Sequence, residues 1–464
     1  MKRGGLRTFL RWLRILLSLG LLAGTLLLVH WNRNHDPRFW AFLETPPGRV
    51  LVRFLQWRGK VPDTNPMVRL DEEEERVRLR LEKKVAAAWP TARLTLKNGK
   101  SRVGHVVGTE ERSVTFAESW SGAGRIAVRI ALTEIKGLEA YPDPPPAVSP
   151  RDAKFHLERP EFDLHRFPPY TIVTDEPFSS VVGYVRELEL LERQIRATFA
   201  GLITRTNRVD GIQVMVFSRE EDYKGFQNKH APLMENTAGF YAVMLDRLVL
   251  YNQAGSTAVK ELRDNVTSTA EQFRAGANGD QDYDRMLRQQ ERSMLQQIDR
   301  QSRQISTTVL RHEGSHQLFH TLGIHSSFHA ENVWLMEGLA VYCEGDRPGA
   351  ILRPNAQLVL AAVRDGKNIP LSELVNHRSS RGLLAFDETR SQGGAYAYAQ
   401  SWALVHYLLH TSHRPKFEAF IRHIRQRENL REVAVTPQME ILLRFLEMEE
   451  DALEQNVRRH LAGM

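Results

Sequence analysis

The sequence holds a single cysteine, Cys343, among 464 residues. No internal disulfide can form, and zinc sites built from four cysteines, or from two cysteines and two histidines, are excluded. A basic stripe with interleaved aromatics is also lacking. The formal net charge is +7, but Lys2, Arg3, Arg7, Arg11 and Arg14 supply five of those charges, and no acidic residue precedes Trp31. The remainder carries only +2, so nucleic acid is set aside as a partner. Long uncharged apolar runs are scarce. One stands out, "ILLSLGLLAGTLLLVHW" at 15–31, directly after the basic cluster. Seventeen residues reach the lower edge of what crosses a bilayer. Ala23, Gly24 and Thr25 lead into more leucines and not into a polar mature start, which favours an uncleaved anchor over a signal peptide. Residues 1–32 are therefore expected to anchor the chain in a membrane with the N-terminus cytoplasmic. The rest is then expected in the periplasm or outside the cell.

What is present reads as a globular chain of two or three domains, with 42% apolar and 26% charged residues. "DEEEERVRLRLEKKVAAA", 71–88, places acids first and bases later, as suits a connecting helix over about 66–90. Residues 91–141 change rhythm. "ARLTLKNGKSRVGHVVG" alternates on both sides of Asn98-Gly99, a hairpin signal. Val114 and Phe116 continue the alternation, as do Ile126, Val128 and Ile130 after "SGAG". Short strands this dense predict a small β-barrel whose rhythm is similar to SH3-like or Sm-like barrels, either a module for a protein partner or a spacer. "PDPPPAVSP", 142–150, is a stiff proline linker and a domain boundary.

Beyond it, "YTIVTDE" (170–176) and "IQVMVF" (212–217) read as strands flanking an amphipathic helix over 180–199. "FYAVMLDRLVLYN" (240–252) gives one or two further strands, and mostly helices follow. The fold class is α+β. Between about 256 and 304, two helical runs separated by "AGANGDQD" predict an inserted αα-hairpin, a lid, a partner-binding arm or plain decoration.

The chemistry concentrates in "RHEGSHQLFH", 311–320. On a helix His312 and His316 share a face and can bind one metal ion, while Glu313 projects beside them as a general base. A catalytic zinc site takes three protein ligands and leaves one position open. Glu337, twenty intervening residues after His316, lies in "WLMEGLAVYCEG", 334–345. His320, His325, His329 and Glu331 compete with it as the third ligand. The metzincin extension is absent, since Phe319 and Leu322 occupy its glycine and histidine places. Glu344, seven residues after Glu337, is placed to hold a ligand histidine by its outer nitrogen or simply to end the helix. Cys343 reads as a small core residue.

H-E-x-x-H followed by W-L-x-E-G-x-A-x-Y on a second helix resembles the signature of gluzincin metallopeptidases, the thermolysin-like and aminopeptidase N-like enzymes, over about 170–410. The resemblance implies a thermolysin-like catalytic domain over 151–464, with one zinc ion per chain held by His312, His316 and Glu337 and with Glu313 as the base. It also implies a tyrosine on a later helix, Tyr398 in "GGAYAYAQSW" with Tyr396 as runner-up, to stabilise the oxyanion. "MEN" at 234–236 before Gly239 is similar to the strand by which aminopeptidase N-like enzymes hold a free N-terminus, although Pro232 replaces the leading glycine of that pattern. The expected activity is zinc-dependent hydrolysis of protein or peptide substrates. The alternatives are a retired peptidase fold that binds a partner, and the same chemistry on a non-peptide amide of the cell envelope.

Overall fold

The structure is a computed structural model. It describes residues 70–464 apart from 120–124, 205–210, 232–236, 243–245, 277–280, 326–331, 379–382, 384–385, 387–392 and 427–435. The expected membrane segment at 15–31, the "SGAG" turn, the "MEN" stretch with Pro232, and the rival ligands His329 and Glu331 lie outside the described residues.

Helix α1 (Glu72–Ala88) starts at a capping box, in which Asp71 accepts from the amides of Glu73 and Glu74 while Glu74 accepts from the Asp71 amide. Strands β1 (Ala92–Leu96), β2 (Ser101–Thr109), β3 (Ser113–Ser119), β4 (Arg125–Ala131) and β5 (Ile135–Ala140) follow. They form an antiparallel sheet of order β4-β3-β2-β1-β5, with the β1–β2 turn at Asn98-Gly99 as predicted. Leu94, Leu96, Phe116 and Ile130 pack on its inner face. The proline segment has no regular structure. Its Val148 is buried with Leu81, Val85 and Ala153, and Ser149 caps helix α2 (Pro150–Leu157) by accepting from the Asp152 amide.

The second sheet combines β6 (Asp163–Phe167), β7 (Tyr170–Thr174), β8 (Ile212–Phe217), β9 (Gly239–Ala242) and β10 (Arg247–Tyr251) in the order β6-β7-β8-β10-β9. β7, β8 and β10 run parallel, and β6 and β9 are antiparallel edges. The run "IQVMVF", apolar but for Gln213, follows from this placement, because a central parallel strand is buried on both faces. One face packs Val173, Met215, Phe217 and Val249 against Phe155 and against Tyr223 and Phe226 of α4 (Glu220–His230). Helix α3 (Phe178–Thr198) makes the crossover from β7 to β8.

The predicted hairpin is present as α5 (Thr257–Ala275) and the first turns of α6 (Gln281–Thr321). No break separates arm from motif: α6 runs 41 residues, through His312 and His316. Helices α7 (Val333–Tyr342), α8 (Arg353–Arg364), α9 (Leu371–Val375), α10 (Gly393–His410), α11 (Arg414–Arg425), α12 (Gln438–Leu446) and α13 (Glu450–Ala462) complete the described chain. The described residues fall into two units. One holds both sheets and the helices through Ile324, with Ala340–Ala350 added; the other holds His325–Leu339 and Ile351–Met464. The fold is α+β, as the sequence predicts.

The membrane-anchored, periplasmic placement is corrected for the described residues, which do not include 15–31. No helix of the described residues is long and apolar enough to cross a membrane. The physical reason is plain in the two extremes. Helix α6 has the length but is laced with charge, and α7 is apolar but ten residues long, half of the ~20 that a span needs.

Candidate metal centre

Helix α6 brings His312 and His316 together on one face, with ring centroids 5.0 Å apart at 76°. On the opposite side the helix approaches α3 closely. A β-carbon on Gly314 would stand 2.9 Å from Leu188 Cδ2. Arg311 is fully buried beside the motif. It donates from Nε to the Cys343 carbonyl (2.7 Å), from Nη1 to Glu187 Oε1 (2.5 Å) and from Nη2 to Gln194 Oε1 (2.8 Å). Glu187 is itself partly exposed, so the cost falls on the arginine: without the carboxylate the buried Arg311 charge is left uncompensated.

The tethered Cys343 carbonyl leads directly to Glu344, whose Oε1 lies 2.8 Å from His312 Nδ1. A carboxylate at this distance accepts, so Nδ1 carries the proton and Nε2 keeps its lone pair for a ligand. Of the two readings of Glu344, the structure supports the second ring-nitrogen partner.

Glu337 lies on α7, next to Gly338. A β-carbon on Gly338 would stand 2.7 Å from the Ser401 carbonyl oxygen and 2.8 Å from Val405 Cγ2, so α7 sits against α10 where only glycine fits. His312, His316 and Glu337 each offer one ligand atom, and these atoms all lie within 4.8 Å of one another. Among the described residues this is the one such group of three or more His, Cys, Asp or Glu side chains. Two imidazoles and one carboxylate, with a carboxylate behind one ring, suit a divalent transition metal with a coordination position to spare.

Glu313 stands outside the group. Its Oε2 accepts from the Tyr241 amide at 2.9 Å, and Gly239 of the same strand leaves room for its Cγ, which a β-carbon there would meet at 3.2 Å. Of the rival ligands within the described residues, His320 approaches Tyr241 and not the metal group, and His325 is not in the group either. Tyr396 and Tyr398 lie in the first two turns of α10 and are half-buried. Sequence reasoning missed Tyr241 and Arg311. Neither carries a motif, since one acts through its main chain and the other reads as a flank of the H-E-x-x-H run.

Residues 304–431 match a family described as "Protein of unknown function (DUF1570)". The matched stretch contains every residue just placed at the centre except those of strand β9 and helix α3, and it includes Tyr398. No curated protein matches the chain.

Proposed function

We propose that the chain is a zinc-dependent metallopeptidase of gluzincin type. The observation that carries this reading is the convergence of His312, His316 and Glu337 on one point, with Glu313 beside it and not part of it. The finer fold assignments belong to the same reading: a thermolysin-like catalytic arrangement, and an SH3-like barrel for the first sheet that serves a protein partner.

When bound, zinc supplies Lewis-acid activation of water near neutral pH. The chain's own residues do the rest. Glu344 fixes the His312 ring so that Nε2 faces inward. Glu313 takes a proton from the attacking water and returns it to the leaving amine. The Tyr398 hydroxyl donates to the oxygen that gathers negative charge on the substrate carbonyl. The donor set also fits the retired-fold alternative in geometry, but every residue of ligand and base type is present, which favours turnover.

The test is metal content of the full chain beside its Glu337→Ala variant, followed by digestion of fluorescein-labelled casein. About one zinc per wild-type chain is expected for a three-ligand site, and clearly less in the variant. Glu313→Gln keeps the metal and loses hydrolysis. Full activity in Glu313→Gln removes that residue from the base role, and a zinc-free wild type after zinc is supplied overturns the reading.

A further inference from the structure

Strand β9 is the edge of the second sheet, and its pairing with β10 puts Tyr241 opposite Leu248. The Tyr241 amide turns away from that pairing and donates to Glu313 Oε2 at 2.9 Å. The same residue's phenol meets α6 again, two turns after Glu313, where its oxygen lies 2.6 Å from His320 Nδ1 and 2.8 Å from Asp246 Oδ1. A phenol has one proton. The Asp246 carboxylate accepts it, so the phenol oxygen accepts in turn from His320 Nδ1–H. Asp246 is secured from behind by Arg151, whose Nη2 lies 3.2 Å from Oδ2. Burial pushes the Asp246 carboxyl up, but His320, the Arg151 charge and the Tyr241 hydroxyl together outweigh it and hold it below the usual range. It is therefore a carboxylate at neutral pH.

We propose that Tyr241 is the positioning residue for Glu313: its amide holds the carboxylate, and its phenol, clamped between His320 and Asp246, holds the amide in place. His320, a rival for the metal by spacing alone, thereby has a separate task. The strand is fixed to α6 at two heights, and the Glu313 side chain is confined between Gly239 and the Tyr241 amide. The kinetic consequence rests on the peptidase reading, whereas the positioning itself does not.

The experiment is amide hydrogen exchange, read by NMR on the full chain carrying nitrogen-15 in its 11 tyrosines only. In Glu313→Ala the Tyr241 amide exchanges at least about tenfold faster, as the loss of one protecting bond requires, while Tyr251 of β10 is unchanged. Glu313→Gln retains a carbonyl acceptor and much of the protection. In His320→Ala the same amide accelerates by about threefold or more, and kcat on casein falls with KM unchanged. Equal Tyr241 exchange in wild type and Glu313→Ala overturns the proposal. Unchanged exchange and kcat in His320→Ala overturn the clamp. Exchange as expected in a zinc-loaded chain that cleaves nothing leaves the positioning intact and removes the peptidase reading instead.

Discussion

Glu344 does its work through a single ring nitrogen. With Oε1 at 2.8 Å from His312 Nδ1, it sets both the tautomer and the direction of the ring. On the zinc reading proposed above, Glu344→Ala is expected to weaken zinc binding by about 10–100-fold, measured by competition against a chromophoric chelator, with the unfolding midpoint of the metal-free chain little changed. An unweakened affinity would show that the α6 and α7 backbones alone aim the ligand. Cys343, its neighbour, behaves oppositely. Burial pushes its thiol from 9.0 up to about 12, so the native chain resists iodoacetamide at pH 8 and the unfolded chain does not.

Between elements, two glycines mark where helices touch, and their surroundings set different costs. At Gly338 a β-carbon would meet a main-chain oxygen of α10 at 2.7 Å, whereas at Gly314 it would meet the end of the Leu188 side chain at 2.9 Å. A leucine tip can rotate aside and a helical carbonyl cannot. Gly338→Ala is therefore expected to cost about 1–3 kcal/mol by overpacking and, on the zinc reading, to lower zinc content with it, while Gly314→Ala costs less. Urea unfolding of both variants beside the wild type checks the order. This level also explains what the sequence made legible. The four-residue spacing of His312 and His316 and the later Glu337 encode their convergence, because helical geometry converts spacing into direction. The alternation about Asn98-Gly99 encodes the first hairpin in the same way. Tyr241 escapes such reading. Its part is played by a main-chain amide, which every non-proline residue owns, and by a pairing of strand with helix across 72 positions. The continuity of α6 was hidden for another reason, since its polar, charged middle resembles a loop-flanked insert until one sees α5 packed along it.

At the scale of the whole molecule, Cys343 ties stability to alkali. The unfolded chain releases its thiol proton near 9.0 and the folded chain only near about 12. Between those values the unfolded state binds fewer protons, so stability falls as pH rises, by up to ~1.4 kcal/mol per pH unit. The Cys343→Ala variant should show a shallower loss between pH 9 and 11 in urea titrations, and identical slopes would remove the thiol from that balance. The membrane expectation belongs to this scale too: among the described residues, which exclude 15–31, length and apolarity do not coincide in any one helix. The uninterrupted α6 has a last consequence. Arm and motif are one screw of 41 residues, roughly 60 Å long, so their relative phase is written in residue number. Each residue gained or lost between them turns the arm by about 100° about the axis, and only certain steps, such as about seven, eleven or eighteen residues, bring it back to nearly the same bearing. Arm length in this protein is therefore an angular setting as much as a measure of reach.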